Sequence, residues 1–267
     1  MSNILEKIIE DKKADVAERK NRLSIDELKD LSYQLPKCRN FYKAVTKSNF
    51  RGLNVIAEIK KASPSAGLIR ENFDPVEIAK IYKECGADAI SVLTDEKYFQ
   101  GRLEYIKQVK QAVDLPVLRK DFIVDPWQVY ESRAAGADAI LLIAEALKPA
   151  EISDLMILAS QMSLTVLLEV HNADTLLAVR SFIGFPQKGY SILGVNNRDL
   201  TTMKIDINTT GRLAELLEDN SELIAESGIK TREDVEKLIS VGVKACLIGQ
   251  TLCENTDIKA KFTELFG

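Results

Sequence analysis

The sequence lacks the features of several large protein classes. No apolar stretch approaches the roughly 20 residues of a membrane-spanning helix, and the first residues do not have the basic-then-apolar layout of a signal peptide. Basic residues form no tract, since 36 Lys and Arg stand against 40 Asp and Glu for a net charge of −4. We therefore expect a cytoplasmic protein with neither nucleic acid nor a membrane as a partner.

Residues that favour metal sites are also scarce. The 4 cysteines form no CxxC pair, and three of them lie in or beside apolar runs, where cysteine acts as a small hydrophobe. His171 is the only histidine, and no second histidine or cysteine stands at ligand spacing from it. We expect no metal site, and we interpret His171 as a residue at the end of a strand.

Eight short apolar runs follow residue 50. Near-continuous apolarity is typical of strands buried on both faces of a parallel sheet. Segments of helical period separate the runs, for example 75–85 and 126–135, so strand alternates with helix. The runs are 55–60, 89–94, 116–121, 139–145, 165–170, 192–197, 223–227 and 245–249.

An internal repeat marks the junctions between helix and strand. CGADAI at 85–90 returns as AGADAI at 135–140 and more faintly as VGVKAC at 241–246. The glycine of each copy falls where a left-handed residue would end a helix. Repetition of one strand–helix unit eight times over about 215 residues fits a closed (β/α)8 barrel. An open doubly wound sheet would normally carry a glycine fingerprint in its first turn, which reads KKASPSAG here.

We therefore predict an α/β protein made of a single (β/α)8 TIM barrel over 51–267. Residues 1–50 differ in kind, because apolar residues recur at helical spacing and Ser24 to Glu27 has the form of a capping box. We therefore predict that residues 1–50 form an all-helical extension. It would pack either on the wall of the barrel or across one of its mouths.

Side chains that could do chemistry stand at the ends of five predicted strands. In parallel strands such residues gather at one mouth, where active sites of this fold are built. We expect Lys120 and Glu169 to form an acid–base pair, since crowding by Lys60 and partial burial would weaken the hold of Lys120 on its proton. A salt bridge from Lys120 to Asp121 or Glu145 is the alternative. The strand-end residues are Glu58, Lys60, Lys120, Glu169, Asn196 and Glu226.

Glycine-containing stretches follow the last two predicted strands, at 226–230 and 248–252. Small residues there expose backbone N–H groups, and a short helix beginning after Gly249 would direct its positive end at an anion. The same two loops form the frequent phosphate site of barrels. The sequence therefore predicts a phosphorylated small-molecule substrate.

Seven segments resemble the indole-3-glycerol phosphate synthase family, and the likeness extends over essentially the whole chain. It implies ring closure of 1-(2-carboxyphenylamino)-1-deoxyribulose 5-phosphate with loss of carbon dioxide and water, a carbon–carbon lyase (carboxy-lyase) reaction of tryptophan biosynthesis without metal or organic cofactor. We expect a monomer. The segments are IAEIKKASPS at 56–65, SVLTD at 91–95, YFQG at 98–101, LRKDF at 118–122, LEVH at 168–171, GVNNRDL at 194–200 and AESG at 225–228.

The resemblance also implies roles for individual residues. Lys120 would be the general acid and Glu169 the base. Lys60 would neutralise the substrate carboxylate or assist proton transfer, and Glu58 and Asn196 would orient these groups. The implied substrate-binding residues are Ser63, Phe122, Arg198, Glu226, Ser227, Gly228, Gly249 and Gln250. The sequence departs from the family pattern at Ala66, Arg102 and Gln250.

Three other functions remain open from sequence. A sister barrel such as phosphoribosylanthranilate isomerase would place a cysteine and an aspartate as its acid–base pair. A Schiff-base aldolase would use Lys120 as a nucleophile. A non-catalytic barrel that binds a phosphorylated metabolite would leave several inward charges without a use, although their burial costs several kcal/mol.

Overall fold

The computed structural model describes residues 4–200 and 202–267, and eight parallel strands in it close into a barrel. In chain order the strands are β1 (Asn54–Ile59), β2 (Ala62–Ser63), β3 (Gly67–Leu68), β4 (Ala89–Leu93), β5 (Val117–Lys120), β6 (Ala139–Ile143), β7 (Thr165–Val170), β8 (Ser191–Asn196), β9 (Leu223–Glu226) and β10 (Ala245–Ile248). Strands β1 and β4 to β10 form the barrel in sequence order, and β10 returns to pair with β1. The predicted TIM barrel is confirmed.

Helices alternate with the barrel strands. They are α1 (Ile4–Lys20), α2 (Ile25–Tyr33), α3 (Phe41–Thr46), α4 (Pro75–Glu84), α5 (Glu96–Phe99), α6 (Glu104–Ala112), α7 (Pro126–Ala134), α8 (Pro149–Gln161), α9 (Ala173–Val179), α10 (Asn208–Ala214), α11 (Arg232–Val241), α12 (Gln250–Cys253) and α13 (Ile258–Phe266). Strands β2 and β3 form a small antiparallel hairpin after β1. No helix in the described part of the chain is long and apolar enough to span a membrane.

Local sequence explains where the helices begin and end. Asp74 and Asp125 accept hydrogen bonds from the first backbone N–H groups of α4 and α7, and a proline at the first helical position follows each. Gly86 and Gly136 adopt positive φ angles of 88° and 92° after these helices, as the repeat predicts. The capping box at Ser24 is also present.

Seven of the eight barrel strands end one or two residues earlier than the apolar runs predict, and β7 ends at Val170 as predicted. The largest difference is at 139–145, where β6 ends at Ile143 and Ala144–Ala146 form a turn of 3-10 helix. Glu145 therefore lies beyond its strand rather than in it.

Alternation along each strand builds two apolar layers. Val55, Ala57 and Ile59 of β1 pack against the surrounding helices, whereas Ile56 points into the bore of the barrel. Glu58 follows Ile56 on the inward face and is only 2% exposed. The bore is thus apolar at depth and charged only at its carboxyl-terminal end.

The N-terminal helices contact both mouths and the wall of the barrel. At the amino-terminal end, Asn54 at the start of β1 donates to the carbonyl of Val45 in α3, and Val45 is fully buried. At the carboxyl-terminal end, Leu5 and Ile8 of α1 reach the cavity formed by the strand ends. The second half of α1 and α2 pack against α7 on the wall, where Val16 and Leu28 contact Trp127. Sequence left the position of this segment open, and the structure places it on the wall as well as at the two ends of the barrel.

Candidate active site

A single cavity at the carboxyl-terminal end of the barrel collects every site residue predicted from sequence. Residues from β1, β5, β7, β8 and β9 and from the loops that follow the strands contribute to it. The predicted residues that line it are Glu58, Lys60, Ser63, Lys120, Phe122, Glu169, Asn196, Arg198, Glu226, Ser227, Gly228, Gly249 and Gln250.

Lys120 lies at the centre of the polar side of this cavity. Its Nζ is 2.9 Å from Oε2 of Glu169 and 3.3 Å from Oε2 of Glu226. The three side chains are no more than 13% exposed. Neither Asp121 nor Glu145 is the partner of Lys120, because both point to other cations. The lysine therefore contacts two carboxylates that can exchange protons with it or with a bound molecule.

The protonation of these groups differs from the sequence expectation. Burial alone would lower the pKa of Lys120, but the carboxylates of Glu169, Glu226 and Glu58 outweigh burial and raise this pKa above its usual value. The prediction that crowding by Lys60 weakens the hold of Lys120 on its proton is wrong, because Lys60 pairs with Glu58 instead. The unliganded site thus holds Lys120 as an ammonium.

The two carboxylates beside Lys120 are driven apart in acidity. Burial would raise the pKa of Glu169, yet Lys120 and His171 outweigh it and hold that pKa well below its usual range. Burial and repulsion from Glu169 raise the pKa of Glu226 to about 8. Adjacent acids with such different affinities for protons are typical of acid–base sites.

Glu58 and Lys60 form the second ion pair of the cavity. The carboxylate of Glu58 also lies 3.5 Å from the hydroxyl of Ser91, and its backbone carbonyl accepts from Tyr82 at 3.0 Å. Gly249 makes room for this side chain, because a Cβ there would lie 2.9 Å from Cβ of Glu58. Glycine at the end of β10 therefore serves the site as well as the turn.

Gly194 has the same function for Glu226. A Cβ at position 194 would approach Oε1 of Glu226 to 2.5 Å and Cδ1 of Leu167 to 3.0 Å. Real side chains almost never make contacts so close, so a larger residue at the centre of β8 would displace Glu226. The inward glycine of this strand is thus part of the site's architecture.

Asn196 and Arg198 connect β8 to the carboxylate of Glu169. The amide nitrogen of Asn196 lies 3.3 Å from Oε1 of Glu169, and its amide oxygen accepts the backbone N–H of Arg198 at 3.0 Å. Burial lowers the pKa of Arg198 while the charge of Glu58 opposes this effect. The guanidinium therefore adds a third cation near the polar side of the cavity.

An aromatic wall faces these charges. The rings of Phe99 and Phe122 have centroids 6.1 Å apart with an interplanar angle of 39°, and Nζ of Lys60 lies 6.0 Å from the centroid of Phe99. Such tilted pairs are a favourable arrangement for aromatic side chains. This side of the cavity can accept a flat aromatic group beside the Lys60 ammonium.

The loops after β9 and β10 present backbone rather than side chains. Ser227 and Gly228 adopt consecutive left-handed conformations, with φ angles of 66° and 83°. The hydroxyl of Thr251 donates to the carbonyl of Ile229 at 2.7 Å, which joins the two loops. The short helix predicted after Gly249 is present as α12, and the arrangement of N–H groups suits an anion.

Sequence reasoning missed contributions from α1 and α5. Ile4, Leu5 and Ile8 line the mouth, and their helical spacing was visible but did not reveal their location. Lys12 is 6% exposed, and its Nζ lies 2.8 Å from carboxylate oxygens of both Asp95 and Asp121. A lone lysine on an amphipathic helix gives no sequence signal of such burial.

Metal ligands are not grouped in the described residues, where no three or more His, Cys, Asp or Glu side chains are placed to hold an ion. The chemistry that the cavity offers from its own side chains is acid–base chemistry among lysines and carboxylates.

Trp127, at the start of α7, packs in the wall of the barrel. Its indole N–H donates to the carbonyl of Leu23 at 2.8 Å.

Comparison with solved structures supports the fold. Thiamine phosphate pyrophosphorylase from Pyrococcus furiosus is 18% identical and superposes with a TM-score of 0.58, covering 81% of this chain and 96% of that one. A mutant tryptophan synthase alpha-subunit from the same organism is 12% identical, with a TM-score of 0.57 and coverage of 79% and 97%. At these identities the likeness concerns the barrel alone.

Sequence comparison is more specific. The family model for indole-3-glycerol phosphate synthase matches residues 5–265. The enzyme of that name from Dehalococcoides mccartyi (strain CBDB1) is 45% identical over 269 residues, covering 98% of this chain and 99% of the relative. Its namesake from Geobacillus thermodenitrificans is 48% identical over 232 residues, covering 87% and 88%. The chain belongs to the indole-3-glycerol phosphate synthase family.

Proposed function

We propose that this protein converts 1-(2-carboxyphenylamino)-1-deoxyribulose 5-phosphate to indole-3-glycerol phosphate, carbon dioxide and water in tryptophan biosynthesis. The observation that carries the proposal is the position of Lys120 between Glu169 and Glu226, opposite the Lys60–Glu58 pair, in one cavity. The reaction needs an acid at a ketone oxygen, a cation near a carboxylate and a base for a later proton. The site offers one group for each need.

The cavity also has three regions that match the three parts of this substrate. Backbone N–H groups of Ser227, Gly228 and Gly249 would hold the phosphate. Phe122 and the neighbouring Phe99 would contact the anthranilate ring, and Lys60 would face its carboxylate. The ketone then lies between the ends of the molecule, on the side where Lys120 protrudes.

In the first chemical step, Lys120 donates a proton to the ketone oxygen as the ring carbon that bears the carboxylate attacks the ketone carbon. The new carbon–carbon bond forms, and the carbonyl π electrons become the O–H bond of an alcohol. Loss of carbon dioxide returns the electrons of the breaking bond to the ring. Stabilisation of the developing alkoxide by a fixed ammonium is the kind of electrostatic effect that dominates many enzymatic barriers.

Dehydration completes the reaction. Glu226, whose pKa of about 8 leaves it protonated at neutral pH, gives a proton to the hydroxyl group, which leaves as water with assistance from the nitrogen lone pair. Glu169 then removes a proton from the carbon next to the nitrogen, and the electrons of that C–H bond complete the indole. A carboxylate with a low pKa is ionised and ready as a base at neutral pH. Asn196 and Arg198 orient Glu169 and the polar end of the substrate.

Two rival reactions fit the site less well. A Schiff-base aldolase requires a neutral lysine, whereas the carboxylates around Lys120 hold it protonated. An isomerase with a cysteine–aspartate pair would need a thiol in the cavity, and no cysteine is among the described residues that line it. The carboxy-lyase reaction uses the groups that are present.

The test is to follow indole fluorescence and carbon dioxide release together when the purified protein meets the carboxyphenylamino substrate. We expect equal amounts of both products, and Lys120→Ala should abolish turnover while substrate binding persists. Borohydride added during turnover should leave no covalent adduct. An adduct at Lys120, or substrate consumption without carbon dioxide, would contradict the proposal.

Two structural statements belong to the same proposal. We treat 1–50 as an extension that closes the mouths of the barrel and 51–267 as the catalytic unit, because α1 and α3 contact opposite ends of the strands. All the groups invoked above come from one chain, so we propose a monomer as the working form. Sedimentation at assay concentration measures this directly.

A further inference from the structure

His171, the only histidine of the chain, lies between two carboxylates, Glu169 of β7 and Glu145 of the 3-10 turn after β6. Its Nδ1 lies at hydrogen-bond distance, 2.9 Å, from Oε2 of Glu145. Its Nε2 lies 3.2 Å from Oε1 of Glu169, which is an ion-pair distance without the alignment of a hydrogen bond. The side chain is 7% exposed. The proposed mechanism does not use this residue, although it contacts the base directly on the side opposite Lys120.

The imidazole ring is fixed from the Glu145 side. Glu145 lies in the 3-10 turn that follows β6, and its Oε1 accepts the backbone N–H of His171 at 2.9 Å. The same oxygen lies 3.4 Å from the side-chain amide of Asn172, which caps α9 through the N–H of Thr175. Glu145 therefore holds both the backbone and the ring of His171, and this anchor keeps Nε2 within ion-pair distance of Glu169.

The ring carries a positive charge at neutral pH. Burial alone would lower the pKa of His171, but its contacts with Glu145 and Glu169 outweigh burial and raise the pKa to about 10. Beyond Glu169 stand Lys120 and Glu226. The neighbouring cavity that His171 lines is also lined by Glu6 of α1 and, from the segment after β8, by Asp199, Lys204, Asp206 and Arg212.

Glu169 thus has a cation at each oxygen, Lys120 at Oε2 and His171 at Oε1. During the proposed reaction these two cations cannot be equivalent. Lys120 gives its proton to the substrate and becomes neutral. His171 keeps its positive charge, because the carboxylate of Glu145 stabilises the imidazolium from the other side. Without His171, Glu169 would be left beside Glu226 in a buried site and would tend to take up a proton itself.

We infer that His171 is a positioning residue for Glu169, an imidazolium fixed by Glu145 that keeps the carboxylate ionised and oriented after Lys120 has delivered its proton. The inference rests on the proposed function for the identity of the base. It assigns the Glu145–His171 pair a role in catalysis that a strand-end contact alone would not have. A purely structural role would affect folding and leave the acidity of Glu169 unchanged.

The coupling can be measured without any enzymatic activity, because His171 gives the single histidine signal in an NMR spectrum. In the wild-type protein the imidazole should stay protonated above pH 8. Glu169→Gln should lower its titration midpoint by about one unit or more, as expected for loss of an adjacent charge. Asp174→Asn removes an exposed carboxylate nearby and should change nothing. A midpoint that Glu169→Gln does not move would overturn the inference.

Interaction free energies are reciprocal, so the same coupling must be visible from Glu169. His171→Gln keeps hydrogen-bonding capacity but no charge, and it should move the acid limb of kcat/KM upward by about one pH unit or more. Glu145→Gln should leave that limb in place and instead lower the pH at which His171 loses its proton. Superimposed pH profiles with merely scaled rates, together with reduced thermal stability, would assign His171 a structural role only.

The two proposals can fail separately. If the wild-type protein forms no indole while Glu169→Gln still shifts the histidine midpoint, the proposed reaction is wrong and the contact between the two residues stands. If indole forms and neither the midpoint nor the acid limb responds, the reaction stands and the inference about His171 is overturned.

Discussion

Replacement of Lys12 by Met tests the attachment of α1 to the barrel. The ammonium of Lys12 is 2.8 Å from both Asp95 and Asp121, and all three side chains are at most 7% exposed. Met has similar length and no charge, so it fills the space but leaves two buried carboxylates without this cation. We expect a large decrease in the free energy of unfolding, because Lys12 is the one charged residue among the buried residues of α1.

The magnitude follows from what remains after the change. Removal of one partner from a buried ion pair costs about 3–5 kcal/mol. Asp121 keeps the guanidinium of Arg119 at 2.9 Å and the hydroxyl of Thr94 at 2.6 Å, so the lower end of that range applies. For a domain of about this size each kcal/mol corresponds to about 2–4 °C, which gives a decrease in Tm of about 6–12 °C.

The pH dependence has a definite sign. Lys12 and Arg119 hold the pKa of Asp121 far below its usual value against the effect of burial. A depressed carboxylate stabilises the fold above its unfolded pKa and loses that contribution as the pH falls through the folded pKa. In Lys12→Met the carboxylates of Asp95 and Asp121 lack the Lys12 ammonium and can take up protons at higher pH than in wild type. The difference in the free energy of unfolding between wild type and Lys12→Met should therefore be largest at pH 7 and decrease below about pH 4.

Urea unfolding and thermal melting of Lys12→Met beside Lys13→Met provide the assay. Lys13 is the next residue of α1 and is exposed, so its replacement removes the same charge without emptying a buried site. We expect Lys13→Met to stay within about 0.5 kcal/mol of wild type. Equal stability of the two variants, or a difference independent of pH, would refute the reasoning.

Two further predictions concern the cavity itself. Gly249→Ala places a Cβ against Glu58 and should lower kcat/KM about 10-fold or more, because it displaces a positioned side chain. Gly211→Ala is the matched control, since its Cβ would lie an ordinary 3.7 Å from Val241, and it should leave kcat/KM almost unchanged. Inorganic phosphate should inhibit competitively with substrate through the loops around Gly228 and Gly249, and kinetics insensitive to phosphate would count against that anion site.

The barrel and the membership of the site could be read from sequence because both depend on local regularities. Buried parallel strands require apolar runs, and parallel direction alone brings Glu58, Lys120, Glu169 and Asn196 to one mouth. Alternation along a strand then fixes which residues face inward. These constraints need no knowledge of how distant side chains meet.

Ion pairing at the mouth could not be read in the same way. Whether Lys120 meets Asp121, Glu145 or Glu169 depends on side-chain directions around the ring of strands, and the sign of its pKa change follows from that choice. Glu145 belongs to a 3-10 turn that continues an apolar run, so its strand assignment failed there. The burial of Lys12 depends on where α1 docks, and its sequence spacing fits either mouth or the wall equally well.

The most direct measurement of the central claim is the indole fluorescence produced by the wild-type protein from the carboxyphenylamino substrate, recorded beside Glu169→Gln. We expect a steady increase for wild type and a loss of about 100-fold or more in the variant, the range typical of a missing acid–base group. No fluorescence from folded wild-type protein, or equal rates for the two proteins, would contradict it.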